Sequence, residues 1–299
     1  MANPLKQYTR IPKVYLKLPS MGKFYPANFI NYSPNGEVGV KALTAADDMI
    51  LNNSDALLNG DAVFQVLKSC IDCRDVKQLL LPDVNSIMLA IRSASKGDKI
   101  KFETKCPHCE KDHTEEVSIL KLLSATVDID SVSDKTKYEI VTSDATLMVT
   151  IKPSPYTDVT EANLLSFEQA RLVQYFRNTK DISDEVKKEK MKEAFDKIIK
   201  LQQRIFINSI EKVDIIQKNG DEEIVTAVTD KGHIAEFIRD LEDSHTKKIN
   251  EQLEVLNSQI GTPDTIEVNC ECEKSFKLEV KFDPVNFSED SFLAEAVKM

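Results

Sequence analysis

The stretch DKIKFETKCPHCEKDHTEEV, residues 98–117, places two cysteines between two short runs of alternating apolar and polar residues. Such alternation predicts β-strands, so the stretch predicts a β-hairpin whose tip holds Cys106 and Cys109. The pattern recurs in IEVNCECEKSFKLEV, residues 266–280, which contains Cys270 and Cys272. In both copies Glu-Lys follows the second cysteine and a Glu-Val pair comes later. The chain therefore predicts two related cysteine knuckles that lie far apart in sequence.

Each knuckle offers two thiols, and a structural zinc ion takes four ligands in a tetrahedron. The simplest interpretation is a split zinc ribbon whose metal ligands are Cys106, Cys109, Cys270 and Cys272. The second pair is one residue shorter than the usual Cys-x-x-Cys, so a metal-free pair of knuckles stays an alternative. His108 and His113 are further potential ligands, although a surface imidazole is the simpler interpretation of each.

Other chemistry finds little support in the sequence. The chain has only four histidines, with no His-x-x-x-His or His-Glu-x-x-His spacing for a catalytic zinc. Glycine is scarce at eight residues, and neither a glycine-rich phosphate loop nor a Gly-x-Ser-x-Gly elbow is present. A third pair, Cys70 and Cys73, follows an amphipathic helical pattern, which favours packing in the core over a redox role. These features predict a protein that is not an enzyme and has no small-molecule substrate.

Charge narrows the classes of partner. The 299 residues carry a net charge of −10, which disfavours nucleic acid as the main ligand because phosphate backbones select basic surfaces. No apolar run reaches the roughly 18–20 residues of a membrane span, and no signal-peptide pattern opens the sequence, so a cytoplasmic setting is expected. Up to Gly36 the charged residues are all basic. This basic arm either docks on an acidic partner or folds back on its own body; its residues are Lys6, Arg10, Lys13, Lys17 and Lys23.

Hydrophobic periodicity predicts an α+β fold of small β-hairpins and helices around the two knuckles. A Thr44–Asp47 capping box predicts one helix start, and helical spacing predicts long helices over 160–177, 184–210 and 244–260. The predicted division is a basic arm with the first strand (1–36), an α+β body with the first knuckle (37–125), a largely helical α+β insertion (126–262), and the second knuckle with a tail (263–299).

The amino-terminal third is similar to a known family. Its ordered features are LPSMGKFYP at residues 18–26, GEVGVKALTAADD at 36–48, a helix carrying Cys70, and Ile91-Arg92 before the first knuckle. In this order they resemble the T4-like tailed-bacteriophage baseplate proteins, which include hub and hub-assembly proteins. The resemblance covers about Val14–Leu122, and the second knuckle is a plausible second anchor.

The resemblance implies a non-enzymatic viral protein that helps to build the baseplate hub, either as a component or as an assembly chaperone. Its expected partners are other phage hub or tail proteins. Its expected location is the host cytoplasm during assembly and, if it stays in the particle, the virion tail. The alternative function is a zinc-ribbon adaptor that binds nucleic acid or transcription machinery, against which the acidic charge argues.

Overall fold

The computed structural model describes residues 9–53, 56–57, 60–178, 183–219, 222–280, 291–293 and 296–298. The chain divides into two compact units. The split unit combines Met1–Ser131 with Ile260–Met299, so it is assembled from both ends of the chain. The contiguous unit is Val132–Gln259.

The elements alternate between helices and short strands. The helices are α1 (Ala45–Leu51), α2 (Asp61–Cys70), α3 (Leu81–Lys96), α4 (Ile119–Ser124), α5 (Tyr156–Asn178), α6 (Asp184–Ser209), α7 (Lys231–Asp240) and α8 (Asp243–Gln259). The strands are β1 (Val14–Leu16), β2 (Val38–Val40), β3 (Lys99–Lys105), β4 (Asp112–Ser118), β5 (Lys137–Val141), β6 (Thr146–Ile151), β7 (Ile210–Asn219), β8 (Glu222–Val228), β9 (Thr265–Asn269), β10 (Ser275–Glu279), β11 (Ser291–Leu293) and β12 (Ala296–Lys298).

In the split unit, α3 forms the centre of the core. Its residues Ile87, Met88 and Ile91 have no more than trace exposure to solvent. The antiparallel pair β1–β2 and helix α2 supply further buried side chains. Two antiparallel hairpins, β3–β4 and β9–β10, complete this unit, and each continues into a three-stranded sheet, in the orders β11-β3-β4 and β12-β10-β9.

The contiguous unit is a four-stranded antiparallel sheet in the order β5-β6-β7-β8, with long helices inserted between β6 and β7. The insertion consists of α5 and α6, which pack against each other. At its base, buried Asp158 accepts a hydrogen bond from Asn208 at 3.2 Å, and Arg204 forms ion pairs with Asp158 and Glu161 at 3.5 and 2.5 Å. These polar contacts join the first two turns of α5 to the last two turns of α6.

The predicted α+β class, with small antiparallel hairpins and a close group of four cysteines, is confirmed. The capping box is also observed, since Thr44 and Asp47 bond each other's backbone N–H groups at the start of α1. The four-segment division stays a prediction. The sequence reading missed strands β11 and β12 in the tail. Among the described residues, no helix combines the length and the apolarity that a membrane crossing requires.

Candidate metal centre

The tips of hairpins β3–β4 and β9–β10 bring four cysteines together. The Sγ atoms of Cys106 and Cys272 are 3.8 Å apart, and those of Cys109 and Cys270 are 3.7 Å apart. All four sulfurs lie within 4.8 Å of one another. All are free thiols, with Cys106 and Cys270 buried and the other two half-buried. The four predicted ligands thus form one group that can hold a metal ion.

The two knuckles have corresponding backbone hydrogen bonds, with the second turn one residue shorter than the first. In the first, the N–H of Cys106 donates to Lys111 O at 2.9 Å and the N–H of Glu110 donates to Cys106 O at 2.8 Å. In the second, Cys270 N–H donates to Lys274 O, and Glu273 N–H to Cys270 O, each at 3.0 Å.

Each turn also carries a glutamate in the left-handed region, Glu110 at φ 60° and Glu273 at φ 62°. A left-handed residue closes a tight turn, although this conformation is unfavourable for an L-residue with a Cβ. The shared Cys-Glu-Lys of the sequence therefore forms two related turns, each closed by a left-handed glutamate and differing in length by one residue. Cys270 and Cys272 are separated by one residue instead of two, and their thiols still lie beside those of the first pair.

Apolar packing holds the two hairpins in register. One cluster contains buried residues from both hairpins together with Leu89 of α3. The first hairpin contributes Phe102 to this cluster. The second hairpin contributes Leu278 and the fully buried Phe276. Cys106 and Cys270 belong to the same cluster, so one side of the thiol group is sealed from water.

The histidines of the first hairpin contact the second hairpin but do not join the thiol group. His108 Nε2 lies 3.1 Å from the carbonyl oxygen of Ser275. His113 packs edge-on against Phe276 at 5.4 Å between ring centroids, and its Nε2 lies 3.3 Å from Glu115 Oε2. Both rings therefore support the contact between hairpins, a role that spacing alone did not indicate.

The electrostatics of the group favour a bound cation. Burial opposes ionisation of the Cys106 thiol, but the N–H groups of His108 and Cys109 and the neighbouring thiols bring its pKa down to about 6. The N–H of Cys272 lowers the pKa of Cys270, while lost hydration and the three other thiols raise it, with the net result at about 12. One thiolate thus forms readily and another forms with difficulty, because four negative sulfurs repel one another unless a positive ion lies between them.

The third cysteine pair is separate from this group. Cys70 is fully buried in α2, and burial raises the pKa of its thiol to about 11. Burial likewise raises the pKa of half-buried Cys73. Thiols held protonated are poor nucleophiles, which fits packing better than redox chemistry.

Comparison with known proteins identifies the family. The family model described as T4 bacteriophage base plate protein matches residues 11–287, which include both units and both knuckles. The chain belongs to this family. No curated protein and no solved structure matches the chain. The resemblance noted at Val14–Leu122 is confirmed, and the match extends through the contiguous unit. Membership of the base plate family indicates a structural tail protein that contacts other phage tail proteins.

The LPSMGKFYP segment, part of the base plate family match, forms a turn anchored on α3. Buried Asp83 accepts hydrogen bonds from Ser20 N–H at 2.9 Å and from the Tyr25 hydroxyl at 2.5 Å. The Tyr25 oxygen in turn accepts the N–H of Leu80 at 2.8 Å. Gly22 adopts φ 72°, and a Cβ there would lie 2.5 Å from the Tyr32 hydroxyl, so the turn requires glycine. Asp83 lies in the first turn of α3, whose N-cap position is Leu80.

The described part of the basic arm folds back on its own unit. Arg10 donates to Ala42 O and to Ser69 Oγ, each at 2.6 Å, and its guanidinium lies 3.7 Å from Asp47. Lys13 Nζ lies 3.5 Å from Ala94 O, and Lys23 pairs with Asp130. Lys17 lines a groove of about 390 Å³, and Lys6 lies outside the described residues.

Proposed function

We propose that this base plate protein is a non-enzymatic component or assembly chaperone of the phage baseplate hub, working through protein–protein contacts in the host cytoplasm during assembly. The family match over both units is the observation that carries the proposal. The buried carboxylates of the split unit support a structural role, because donors of the same unit already engage them. Asp47 is bonded by Thr44 and Ser69, and Asp83 by Ser20 and Tyr25.

Within that function, the four thiols act as ligands of one structural zinc ion. A zinc–sulfur bond of about 2.3 Å gives a tetrahedron whose sulfurs lie about 3.8 Å apart. Two of the six sulfur–sulfur separations, 3.8 and 3.7 Å, match that edge, and all six are within 4.8 Å. A disulfide would bring its sulfurs to about 2.05 Å. An all-thiolate, partly buried set with no open position is typical of structural zinc rather than of catalytic zinc.

The metal would fasten together the two ends of the chain that make the split unit. The paired thiols are 166 and 161 residues apart in sequence, so each closes a very long loop. Closing such a loop carries an entropic penalty that a metal–ligand set can offset. The zinc therefore acts as a staple between the two ends of the chain within the split unit.

The helix pair α5–α6 supplies the surface for a partner. From Val159 to Lys200, none of the side chains that the structure describes is fully buried. Phe195 and Ile199, one turn apart on α6, are 49% and 50% exposed. Half-exposed aromatic and aliphatic side chains on neighbouring turns are typical of an interface that meets another protein. We assign this face to contact with another tail protein of the baseplate.

The test is capture of tail proteins from phage-infected cells by the full-length tagged chain. The F195D/I199D variant should capture at least tenfold less tail protein than the wild-type chain. The matched control K188Q/K200Q makes the same change in net charge on exposed positions of the same helix and should capture normally. Equal capture by both variants would show that this face of α6 is not the contact surface.

Mass spectrometry of purified particles and of assembly intermediates separates the two roles. Presence in mature particles identifies a component, and presence only in intermediates identifies a chaperone. Absence from both, or retention on DNA or RNA at physiological salt, would contradict the hub proposal and favour the nucleic-acid adaptor.

A further inference from the structure

The accessible thiols of the four-cysteine group are divided between the two knuckles. Cys109 of the first knuckle and Cys272 of the second are half-buried, whereas Cys106 and Cys270 are buried. The Sγ of Cys109 lies 3.7 Å from that of Cys270, and the Sγ of Cys272 lies 3.8 Å from that of Cys106. Each close pair therefore joins a sulfur that a small solute can reach to a buried sulfur of the other knuckle.

Bond geometry favours the same two pairs as sites of a covalent link. Cys270 and Cys272 are separated by one residue, so a bridge between them would close a small ring in which the usual disulfide dihedral angle is strained. The two remaining cysteines of the chain, Cys70 and Cys73, do not belong to the group. The thiols of the second knuckle therefore find unstrained disulfide partners in the first knuckle.

We propose that the four thiols are also an oxidation site, at which hydrogen peroxide converts the two close pairs into the disulfides Cys109–Cys270 and Cys106–Cys272. This inference rests on the structural role proposed above for the same thiols, and it adds a covalent form of the same fastening. The reaction requires the arrangement of the sulfurs and not a bound metal.

The reaction consumes one peroxide molecule for each pair. The thiolate sulfur of the accessible cysteine attacks one peroxide oxygen, the O–O bond breaks, hydroxide leaves with the electron pair, and the cysteine becomes a sulfenic acid. The thiolate of the buried partner then attacks that sulfur, so that the S–S bond forms and the S–O bond breaks with loss of a second hydroxide. Each hydroxide takes up a proton and becomes water. Each pair thus gives two electrons to the peroxide, and the oxidised sulfurs no longer carry the charge that holds a cation.

The oxidised form keeps the split unit closed in surroundings that do not preserve thiols. Disulfides persist outside the cell, whereas cytoplasmic reductants keep thiols reduced. The paired cysteines are 161 and 166 residues apart in sequence, and a cross-link restricts the unfolded chain more strongly as the loop that it closes becomes longer. The two segments of the unit, Met1–Ser131 and Ile260–Met299, therefore stay joined after the metal has left.

Peptide mapping of the full-length protein after treatment with hydrogen peroxide tests the pairing. Trypsin releases both cysteines of the first knuckle in one peptide, residues 106–111, and both cysteines of the second in another, residues 249–274. The expected product is these two peptides joined by two disulfides. Two separate peptides with internal disulfides, or sulfinic acids without a disulfide, would overturn the proposal.

Two double variants test the division between accessible and buried sulfurs. C109S/C270S keeps one accessible and one buried thiol, Cys272 and Cys106. C109S/C272S also keeps one thiol of each knuckle, but both of them, Cys106 and Cys270, are buried. The first variant should form its disulfide at least tenfold faster than the second, with circular dichroism as the check that both are folded. Equal rates in two folded variants would overturn the proposal, and peptide mapping of the wild-type chain decides the pairing if a variant does not fold.

The same mapping, carried out before and after removal of metal with a chelator, separates this proposal from the zinc staple. Joined peptides from a chain that is purified without zinc would support the oxidation site and contradict the staple. A chain that binds zinc but gives no joined peptides, with its metal or without it, would overturn the oxidation site and leave the staple in place.

Discussion

The split unit and the contiguous unit differ in where their apolar side chains lie. In the split unit, α2 and α3 bury whole faces, and the cysteine hairpins share an apolar cluster. In the contiguous unit, α5 and α6 run for 23 and 26 residues, and Leu201 is the first fully buried residue after Asp158 among those that the structure describes. The apolar side chains of the split unit therefore mainly stabilise its core. Those of the long helices in the contiguous unit are accessible to a partner protein.

This difference supports the proposal of a zinc staple in the split unit. A unit assembled from both ends of a chain must offset the loss of entropy in closing its long loop. The contiguous sheet closes shorter loops, of which the one between β6 and β7 is filled by the paired helices α5 and α6. If the assignment is right, substitutions in the split unit should change stability, and substitutions on α6 should change binding alone.

The largest effect is expected from removing one thiol of the metal centre. C106S and C272S should each abolish stoichiometric zinc and lower the melting temperature of the split unit by at least about 10 °C. Zinc contributes roughly 10–16 kcal/mol to small zinc-dependent folds, and each kcal/mol is worth about 2–4 °C in a protein of this size. Elemental analysis and calorimetry measure both outcomes.

The matched control is C73S, which removes a half-buried thiol outside the group of four. It should retain one zinc per chain. Freshly purified wild-type protein without metal would contradict the staple and leave the apolar cluster and the backbone pairing between the two ends to close the split unit.

The next effect comes from Y25F, which removes the hydroxyl between Asp83 and Leu80. Both the carboxylate and the Leu80 N–H lose a partner in a buried setting, which costs about 2–4 kcal/mol in unfolding free energy. Urea denaturation measures the loss. Y15F, at a tyrosine that is 53% exposed, is the control and should stay within about 0.5 kcal/mol of wild type.

The loss in Y25F should grow with pH. Burial raises the pKa of Asp83, while hydrogen bonds from Ser20 and Tyr25 oppose that rise. A raised folded pKa gives a contribution that is present below the unfolded pKa and lost as pH rises through the folded pKa. Without the Tyr25 hydroxyl the ionised form is penalised further, so the Y25F defect should be larger at pH 7 than at pH 4. A pH-independent defect would mean that only the Leu80 N–H matters.

Local pattern was enough to predict most of the elements and the four cysteines that come together. Alternation predicted the two cysteine hairpins, and the shared Cys-Glu-Lys paired knuckles more than 160 residues apart. The role of Asp83 was missed because its partners, Ser20 and Tyr25, are about 60 residues away, and sequence spacing does not report such contacts. β11 and β12 were missed because strands of three residues are too short to show a period.

A smaller effect on stability is expected from F195D/I199D. Because both side chains are half-exposed already, this variant should keep its melting temperature within about 3 °C, roughly 1 kcal/mol. Differential scanning calorimetry of this variant beside K188Q/K200Q checks it. A loss as large as that of C106S would show that α6 supports the fold, and the contrast between the two units would fail.

The smallest effect tests whether the two knuckles are one turn built twice. Glu273 at φ 62° carries left-handed strain that glycine relieves, although glycine also loosens the unfolded chain, so E273G should raise stability by about 0.5–1 kcal/mol. E110G should do the same in the first knuckle, where φ is 60°. E271G, one position from Cys272 and without a positive φ, should lower stability by a similar amount. Chemical denaturation with zinc bound measures all three, and opposite signs for E110G and E273G would mean that the knuckles store strain differently despite their shared hydrogen bonds.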